Sequence, residues 1–166
     1  MREIRIEKLT LNVGAGRDQD KLEKGVKLIE YLTGMPPVKT KTSKRIPGWG
    51  LRPGLPIGCK LTIRGDKKKD LVKRFVEAKE GTLKSSQFDE NGNISFGIHE
   101  YINIPGAKYD PDIGIMGFQI SITLTKPGSR IKRRKVRAKD LPQKQKVSKK
   151  EAFEFMKKEF NVEIVD

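Results

Sequence analysis

The sequence is poor in the residue types from which most catalytic and metal sites are built. Its 166 residues contain one cysteine, Cys59, and one histidine, His99. One cysteine cannot close an internal disulfide, which fits a reducing compartment such as the cytosol. One cysteine with one histidine also cannot supply the four ligands of a Cys/His zinc site. The composition therefore argues against a disulfide scaffold and against a zinc module.

Long apolar runs are also missing. No stretch of about 18 apolar residues, the length needed to cross a bilayer, occurs in the sequence. The first residues, Met-Arg-Glu-Ile-Arg-Ile-Glu, do not have the pattern of a secretory signal. We therefore expect a cytoplasmic protein without a membrane partner.

Acidic residues are few compared with basic ones. The chain carries 36 Lys and Arg against 21 Asp and Glu, a formal net charge of +15. Such a surface attracts polyanions, so nucleic acid is the first candidate partner and an anionic membrane surface the second. The length favours a single domain, residues 1–166, with a sizeable core.

Alternation of apolar and polar residues predicts five strands. They are expected at 4–13, 38–44, 58–64, 94–98 and 118–125. In the first strand the apolar phase changes near Glu7-Lys8, which predicts a bulge or break there.

Three helices are predicted between and after these strands. The expected N-terminal caps are Asp20 with Glu23, Asp66, and Ser148 with Glu151. Gly34 and Gly81 are expected to end the first two helices. The order of elements indicates an α+β fold, with a mostly antiparallel sheet, helices packed on one face and the other face open.

The open face of this sheet is predicted to be polar and almost free of carboxylates. Its expected residues are Thr10, Asn12, Lys60, Thr62, Arg64, Ser95, His99, Gln119, Ser121 and Thr123. Hydroxyls, amides and cations suit the sugar-phosphate backbone of RNA, so we interpret this as an RNA-binding face. The alternative is that any solvated sheet face is polar.

A long basic loop rich in Gly and Pro joins the second and third strands. Residues 47–56 are too rich in these two residues for a helix or a paired strand. Lys41, Lys44, Arg45 and Arg52 make the segment cationic, and Trp49 is expected near its tip. An exposed tryptophan can stack on a base or ribose. The alternative is that Trp49 folds back onto its own loop.

Residues 126–147 are predicted to form an extended basic arm, followed by a C-terminal helix and tail at 148–166. Six cations lie within eight residues of the arm: Arg130, Lys132, Arg133, Arg134, Lys135 and Arg137. Because they would repel one another without counter-charge, contact with rRNA phosphates is favoured over a merely solubilising tail.

No catalytic constellation is recognisable. Gly14-Ala-Gly16 has only two of the three glycines of a dinucleotide-binding loop, so a tight strand-to-helix turn is the preferred interpretation. Cys59 lies in phase with apolar neighbours and is expected to be a buried thiol rather than a nucleophile paired with His99. Asp110 and Asp112 lack further ligands for a metal. We expect no enzyme activity and no cofactor.

Four segments together resemble one known family. They are Thr10-Leu-Asn-Val-Gly-Ala-Gly16, Thr40-Lys41, Gly54-Leu-Pro-Ile-Gly-Cys-Lys60 and Leu61-Thr-Ile-Arg-Gly65. The resemblance is to large-subunit ribosomal protein number five, the 5S-rRNA-binding family, and covers nearly the whole chain. The archaeal and eukaryotic branch fits best, because the sequence begins directly at the first strand and carries the basic segment 126–150. Pro47 and Trp49 stand where the bacterial pattern has a small residue and Phe.

The resemblance implies a cytoplasmic, ribosomal location in the central protuberance, with 5S rRNA on the open sheet face. The 5S-binding residues it implies are Thr10, Asn12, Lys39, Thr40, Lys60, Thr62 and Arg64. It also implies that a loop reaches the elbow of the P-site tRNA, formed by Lys44, Arg45, Ile46, Pro47, Gly48, Trp49, Gly50, Leu51, Arg52 and Pro53. Further implied partners are 23S-type rRNA, another 5S-binding ribosomal protein, and small-subunit ribosomal protein number thirteen across an inter-subunit bridge.

Two other function classes are to be weighed against a structural ribosomal protein. One is a free-standing RNA chaperone or regulator, which would bind many RNAs alike. The other is an RNA-processing or nucleotide-dependent enzyme built on the Gly14-Ala-Gly16 turn, which would turn over RNA or nucleotide with a metal.

Overall fold

The computed structural model describes residues 3–165, which form three α-helices and seven β-strands. In chain order these are β1 (Arg5–Gly14), α1 (Gln19–Thr33), β2 (Val38–Lys41), β3 (Pro56–Ile63), α2 (Lys68–Glu77), β4 (Thr82–Lys84), β5 (Asn93–Ile98), β6 (Phe118–Thr125), α3 (Lys149–Phe160) and β7 (Glu163–Val165). Short 3-10 turns lie between them, two of them inside residues 126–147.

Five strands form one sheet in the order β2-β3-β1-β6-β5. β2 and β3 are antiparallel. Along β5 and β6 the neighbours also run in opposite directions: Ser95 lies beside Ser121, whereas Gly97 lies beside Phe118. β4 and β7 form a separate parallel pair. The predicted α+β class with a mostly antiparallel sheet is confirmed.

The residues group into two compact units. The first, here called the loop unit, contains residues 10–63 and 97–120. The second, here called the arm unit, contains the described residues of 1–9, 64–96 and 121–166. The single domain 1–166 stays a prediction, and each unit is described by itself.

In the loop unit, α1 packs closely against β1 and β3. Gly25 makes this approach possible, because a Cβ placed there would lie 2.8 Å from Cγ1 of Val13 and 3.3 Å from Sγ of Cys59. Leu22, Leu28 and Ile29 of α1, which are fully buried, complete the contact. The helix side of this unit is therefore a close-packed apolar layer, in which adding or removing one methylene group changes the stability.

In the arm unit, α2 and α3 contribute buried side chains to the core. Val72 and Phe75 of α2 are fully buried, as are Ala152 and Met156 of α3. Phe153 meets the ring of Phe88 edge-on, with centroids 4.7 Å apart. Edge-to-face packing of this kind stabilises aromatic pairs beyond simple burial.

Of the three predicted N-terminal caps, one is confirmed and two are corrected. Ser148 and Glu151 form the predicted reciprocal capping box of α3. α1 is capped by Asp18, which accepts from Lys21 N, and not by Asp20. Asp66 does not cap α2, whose N-cap is Lys67 without a side-chain bond. Gly34 ends α1 with a positive φ of 70°, as predicted, whereas α2 ends at Glu77 and not at Gly81.

Several strand limits also differ from the predictions. β2 ends at Lys41 rather than at 44, and β3 begins at Pro56 rather than at 58. Pro56 sits opposite Lys41, where the register shifts, so the missing N–H of proline falls at an irregularity of the ladder. In β1 the buried residues are Ile6, Leu9, Leu11 and Val13, and the predicted change of phase lies between Ile6 and Leu9.

Candidate nucleic-acid interface

The pairing of β2 with β3 decides which side chains of the loop unit share a face. Thr40 pairs with Gly58, and Val38 with Lys60. Paired residues point to the same side and alternate along each strand, so Thr40, Lys60 and Thr62 lie on one face. A Cβ on Gly58 would lie 3.2 Å from Oγ1 of Thr40, so the threonine hydroxyl covers this glycine.

Lys39 lies on the opposite face. It pairs with Cys59, whose thiol contacts α1. Burial raises the pKa of the Cys59 thiol, and the nearby positive charge of Lys39 offsets part of that rise. Lys39 is therefore separated from the other strand residues that were expected to bind 5S rRNA.

A shallow concavity of about 400 Å³ lies where β1, β5 and β6 of the loop unit meet. Asn12 donates to Oε1 of Gln119 at 3.2 Å, which fixes both amides at its edge. Position 117 has no room for a side chain, because a Cβ there would lie 2.6 Å from the carbonyl oxygens of Ile98 and His99. Polar side chains on this open side belong to Asn12, His99 and Gln119.

Carboxylates are absent from the strand segments of the loop unit. Residues 10–14, 38–41, 56–63 and 118–120 include no Asp and no Glu. The face thus combines hydroxyl and amide hydrogen-bonding groups with the exposed ammonium of Lys60. Such a surface can dock a phosphate backbone without like-charge repulsion.

The loop between β2 and β3 is hydrogen bonded rather than open. Ile46 and Leu51 exchange two backbone bonds of 3.1 Å, and Thr42 pairs with Leu55 at 2.9 Å. Between them Pro47–Trp49 form a 3-10 turn, closed by Gly50 with a positive φ of 67°. As predicted, residues 47–55 contain no α-helix and no strand, although Leu51 forms an isolated bridge with Ile46. Turn chemistry at Pro47 and Gly50 closes the hairpin between these two residues.

Trp49 projects from the end of this hairpin, and 70% of its surface is exposed. The alternative that it folds back onto its loop is thereby excluded. Most of the predicted tRNA-contacting residues are exposed with it: Lys44, Arg45, Pro47, Gly48, Gly50, Arg52 and Pro53. Leu51 is buried and Ile46 is half-buried, so these two serve the packing of the hairpin itself.

Arg64 lies at the start of the arm unit, one residue after β3, and is exposed. Lys68 donates from Nζ to the backbone oxygen of Arg64 at 3.2 Å, which brings a second cation beside it. Arg64 lines a concavity together with residues of the basic segment, among them Lys132 and Arg133. The structure thus groups Arg64 with cations of the arm.

The six clustered cations of the basic segment are all exposed: Arg130, Lys132, Arg133, Arg134, Lys135 and Arg137. Arg133 forms a 2.8 Å ion pair with Glu7. Arg134 donates from Nε to the backbone oxygen of Arg137 at 2.8 Å. The segment is therefore folded back on itself and tied to β1, while its charges stay on the surface.

Lys126, the first cation of the segment, is an exception, because its side chain is only 7% exposed. Its Nζ contacts both carboxylate oxygens of Glu151 at 2.8 and 2.9 Å and the backbone oxygen of Lys146 at 3.0 Å. The hydrogen bonds from Lys126 and from Ser148 N hold the pKa of Glu151 below its ordinary value. The sequence did not predict this role, since nothing near Lys126 marks it as different from the other arm cations.

Catalytic and metal chemistry find no support in residues 3–165. No group of three or more His, Cys, Asp or Glu side chains in that range is arranged to hold a metal ion. Asp110 accepts from the backbone N of Asp112, which is a local turn. Burial raises the pKa of Cys59 to about 11, so its thiol is protonated near neutral pH. Among the described helices, none has the length and apolar character to span a membrane.

An acid-free sheet face, an exposed basic hairpin and a basic arm together define an RNA-binding protein. The chain belongs to the ribosomal protein L5 family. Residues 1–52 match the family described as ribosomal protein L5, and residues 56–155 match the description of the C-terminus of the same ribosomal family.

Curated relatives agree over nearly the full length. The chain is 49% identical over 159 residues to large ribosomal subunit protein uL5 of Methanosphaera stadtmanae, covering 96% of this chain and 95% of the relative. Identity to the protein of the same name from Sulfurisphaera tokodaii is 45%, covering 100% and 94%. For Nanoarchaeum equitans it is 43%, covering 99% and 98%. The predicted archaeal type of the family is confirmed.

Membership of this family settles the general role. The protein is a structural, non-enzymatic constituent of the large ribosomal subunit, and RNA binding is a general property of its family. As a ribosome component it belongs to the cytoplasm. The predicted absence of enzyme activity is confirmed on this ground.

Proposed function

We propose that the loop unit binds 5S rRNA on its open face and helps attach it in the central protuberance of the large subunit. The observation that carries this is the common face of Thr40, Lys60 and Thr62, with no carboxylate in the strands around it. Thr10 and Asn12 of β1 alternate with buried residues and lie on the polar side of that strand. Shape-specific docking of folded RNA needs such groups at fixed positions.

Each residue has a defined chemical part in this proposal. Lys60 neutralises a phosphate, since its ammonium is exposed. The hydroxyls of Thr40 and Thr62 bond to phosphate or ribose oxygens. Asn12, oriented by Gln119, offers its amide oxygen to a 2′-hydroxyl or a base edge. Arg64 adds a phosphate contact from the arm unit, and Lys39, on the other face, is not part of this surface.

The basic hairpin is proposed to touch a different RNA, the elbow of the P-site tRNA. The exposed ring of Trp49 is available to stack on an unpaired base or a ribose. Lys44, Arg45 and Arg52 are exposed and can follow the tRNA phosphates. Small-subunit ribosomal protein number thirteen, across an inter-subunit bridge, and a second 5S-binding ribosomal protein complete the proposed neighbours.

The basic arm is proposed to bind phosphates of the 23S-type rRNA. Its cluster of cations is exposed, while Lys126 at its base is engaged with Glu151. Binding by such a cluster falls steeply with salt, by roughly 0.7–0.9 log units per log unit of salt for each phosphate neutralised. Because Glu151 holds Lys126, the segment that carries these cations begins at a fixed position on the protein.

The test is a gel shift with labelled 5S rRNA and unlabelled tRNA as competitor, at near-physiological salt. We expect 5S rRNA to be retained in the presence of excess tRNA. Competition by tRNA as strong as by 5S rRNA itself would contradict the proposal and favour a general RNA chaperone.

Variants locate the binding surface. Thr62→Ala combined with Lys60→Ala is expected to weaken 5S binding about tenfold or more, because a phosphate contact and a hydroxyl contact are both lost. Lys84→Ala is the matched control, since Lys84 is likewise an exposed strand lysine but lies in β4 of the arm unit. An equal loss of 5S rRNA affinity for Lys84→Ala would contradict binding at the open face of the loop unit.

A further inference from the structure

Two adjoining concavities of the arm unit form one continuous groove beneath the start of the basic segment. Their volumes are about 780 and 270 Å³. They share five lining residues: Glu7, Arg64, Thr125, Ser129 and Arg133. We call this the arm groove. The larger part has the size of pockets that hold small molecules, so it admits one or two nucleotides but not a duplex.

The arm groove is strongly cationic. Eight basic and two acidic side chains line its two parts. One of the acids, Glu7, is held by Arg133 at 2.8 Å. Lys132 and Lys146 line the larger part and are exposed to solvent. A groove with this excess of positive charge is suited to bind the phosphate backbone of a nucleic-acid strand.

Two amide side chains of the groove are each anchored through one N–H. Asn93 donates from Nδ2 to Asp89 at 2.7 Å, and Gln145 donates from Nε2 to the backbone oxygen of Pro127 at 2.5 Å. Both residues line the larger concavity. One N–H of each amide is used in this way, which fixes the side chain and leaves its amide oxygen available to a ligand, and a 2′-hydroxyl is a suitable donor to that oxygen.

We propose that the arm groove binds a single-stranded RNA segment, with phosphates on Lys132 and Lys146 and riboses towards Asn93 and Gln145. This site is separate from the open face of the loop unit, and it rests on the proposed RNA-binding function. Glu7 competes with the RNA phosphate for Arg133. In the free protein the Glu7 carboxylate holds Arg133 in place. When RNA binds, Arg133 exchanges this carboxylate for a phosphate of the RNA.

The test uses the full chain and a fluorescently labelled ten-nucleotide single-stranded oligoribonucleotide, followed by anisotropy at fixed salt. Lys132→Ala with Lys146→Ala is expected to weaken binding about tenfold, because two phosphate contacts are lost. The control is Lys139→Ala with Lys144→Ala, which removes the same charge from exposed arm positions that do not line the groove. The control is expected to lose less than about threefold.

A gain of affinity provides a second readout that loss of folding cannot mimic. Glu7→Gln removes the competing charge and is expected to tighten oligoribonucleotide binding about threefold. The deoxyribonucleotide of the same sequence is expected to bind several-fold more weakly, because the amide oxygens lose the 2′-hydroxyl donors.

The proposal is overturned if the control pair weakens binding as much as the groove pair, since attraction would then be diffuse. Weaker binding by Glu7→Gln, or equal affinity for DNA and RNA, also contradicts it. The Lys60→Ala/Thr62→Ala protein is expected to bind the oligoribonucleotide normally. Failure of the arm groove can therefore be distinguished from failure of 5S binding on the open face.

Discussion

Nζ of Lys126 lies 2.8 Å from Oε1 of Glu151, so the residue that follows β6 is joined to the first turn of α3. Glu151 also accepts from the backbone N of Ser148, which completes the capping box. One carboxylate thus satisfies a buried cation and a helix N-terminus together. Removing either partner leaves the other without its charge-assisted bond.

Lys126→Met should destabilise the protein by about 2 kcal/mol, since it breaks a charge-assisted pair whose cation is buried. The free energy of unfolding is measured by urea titration followed by circular dichroism. Lys150→Met is the control, because Lys150 is exposed in the same region. An equal effect of both substitutions would show that the pair with Glu151 is not the cause.

The same pair predicts a dependence of stability on acid. The pKa of Glu151 is lowered in the folded protein from its ordinary value of 4.5. A lowered pKa stabilises the fold above the ordinary value, and this contribution is lost as the pH falls through the folded value. The unfolding free energy should therefore decline below about pH 4.5 in part through this group. Glu151→Gln should make that decline shallower.

Gly25→Ala should destabilise the loop unit in spite of the better helix propensity of alanine, which is worth about 1 kcal/mol. The new Cβ would lie 2.8 Å from Cγ1 of Val13, a stiff β-branched side chain in a buried strand. Overpacking of this kind costs about 1–3 kcal/mol, so we expect a net loss of about 1 kcal/mol in urea titrations. Adding Val13→Ala should relieve the clash between the two side chains. Lys24→Ala, at an exposed neighbour, should show no loss.

Cys59 should be unreactive in the folded protein. Burial raises the pKa of its thiol from 9.0 to about 11. A disulfide reagent at pH 8 should label the native protein far more slowly than the protein in denaturant. Because the folded state retains the proton that the unfolded state loses, stability should fall as the pH rises from about 9 to 11. Rapid native labelling would contradict the burial of this thiol.

Trp49, the single tryptophan of the chain, reports directly on the hairpin. Its 70% exposure predicts red-shifted emission and ready quenching by acrylamide in the free protein. Added tRNA should change this fluorescence, whereas 5S rRNA should leave it nearly unchanged if the two RNAs use different surfaces. Trp49→Ala should preserve both stability and 5S binding. A fluorescence response to 5S rRNA but not to tRNA would contradict the proposal that the hairpin contacts tRNA and the open face contacts 5S rRNA.

The long elements could be predicted because their signals are local. The alternation of Phe118, Ile120, Ile122 and Leu124 identifies β6, and all four are buried. β4 and β7 have three residues each, too few for a period to be visible, and their parallel pairing joins residues about eighty apart. They form because tertiary contacts, which the sequence does not display, override weak propensity.

The site was predictable in chemistry but less so in geometry. Alternation along one strand shows which of its residues share a face. Only the register between β2 and β3 shows that Lys39 lies on the same face as Cys59. In the same way, Lys126 resembles every other arm cation in sequence and differs only through Glu151, 25 residues later. At the start of α1, Asp18 and Asp20 are both suitable caps, and only the structure shows that Asp18 accepts from Lys21 N.

The two units are interleaved along the chain, and this sets an order of events during synthesis. All of the loop unit, including the hairpin of Trp49, has been translated once residue 120 is made. The arm unit needs β7, which pairs with β4 only after residue 165. Since a growing chain folds from its N-terminal side as its units become complete, the proposed 5S-binding face can form before β7 pairs with β4.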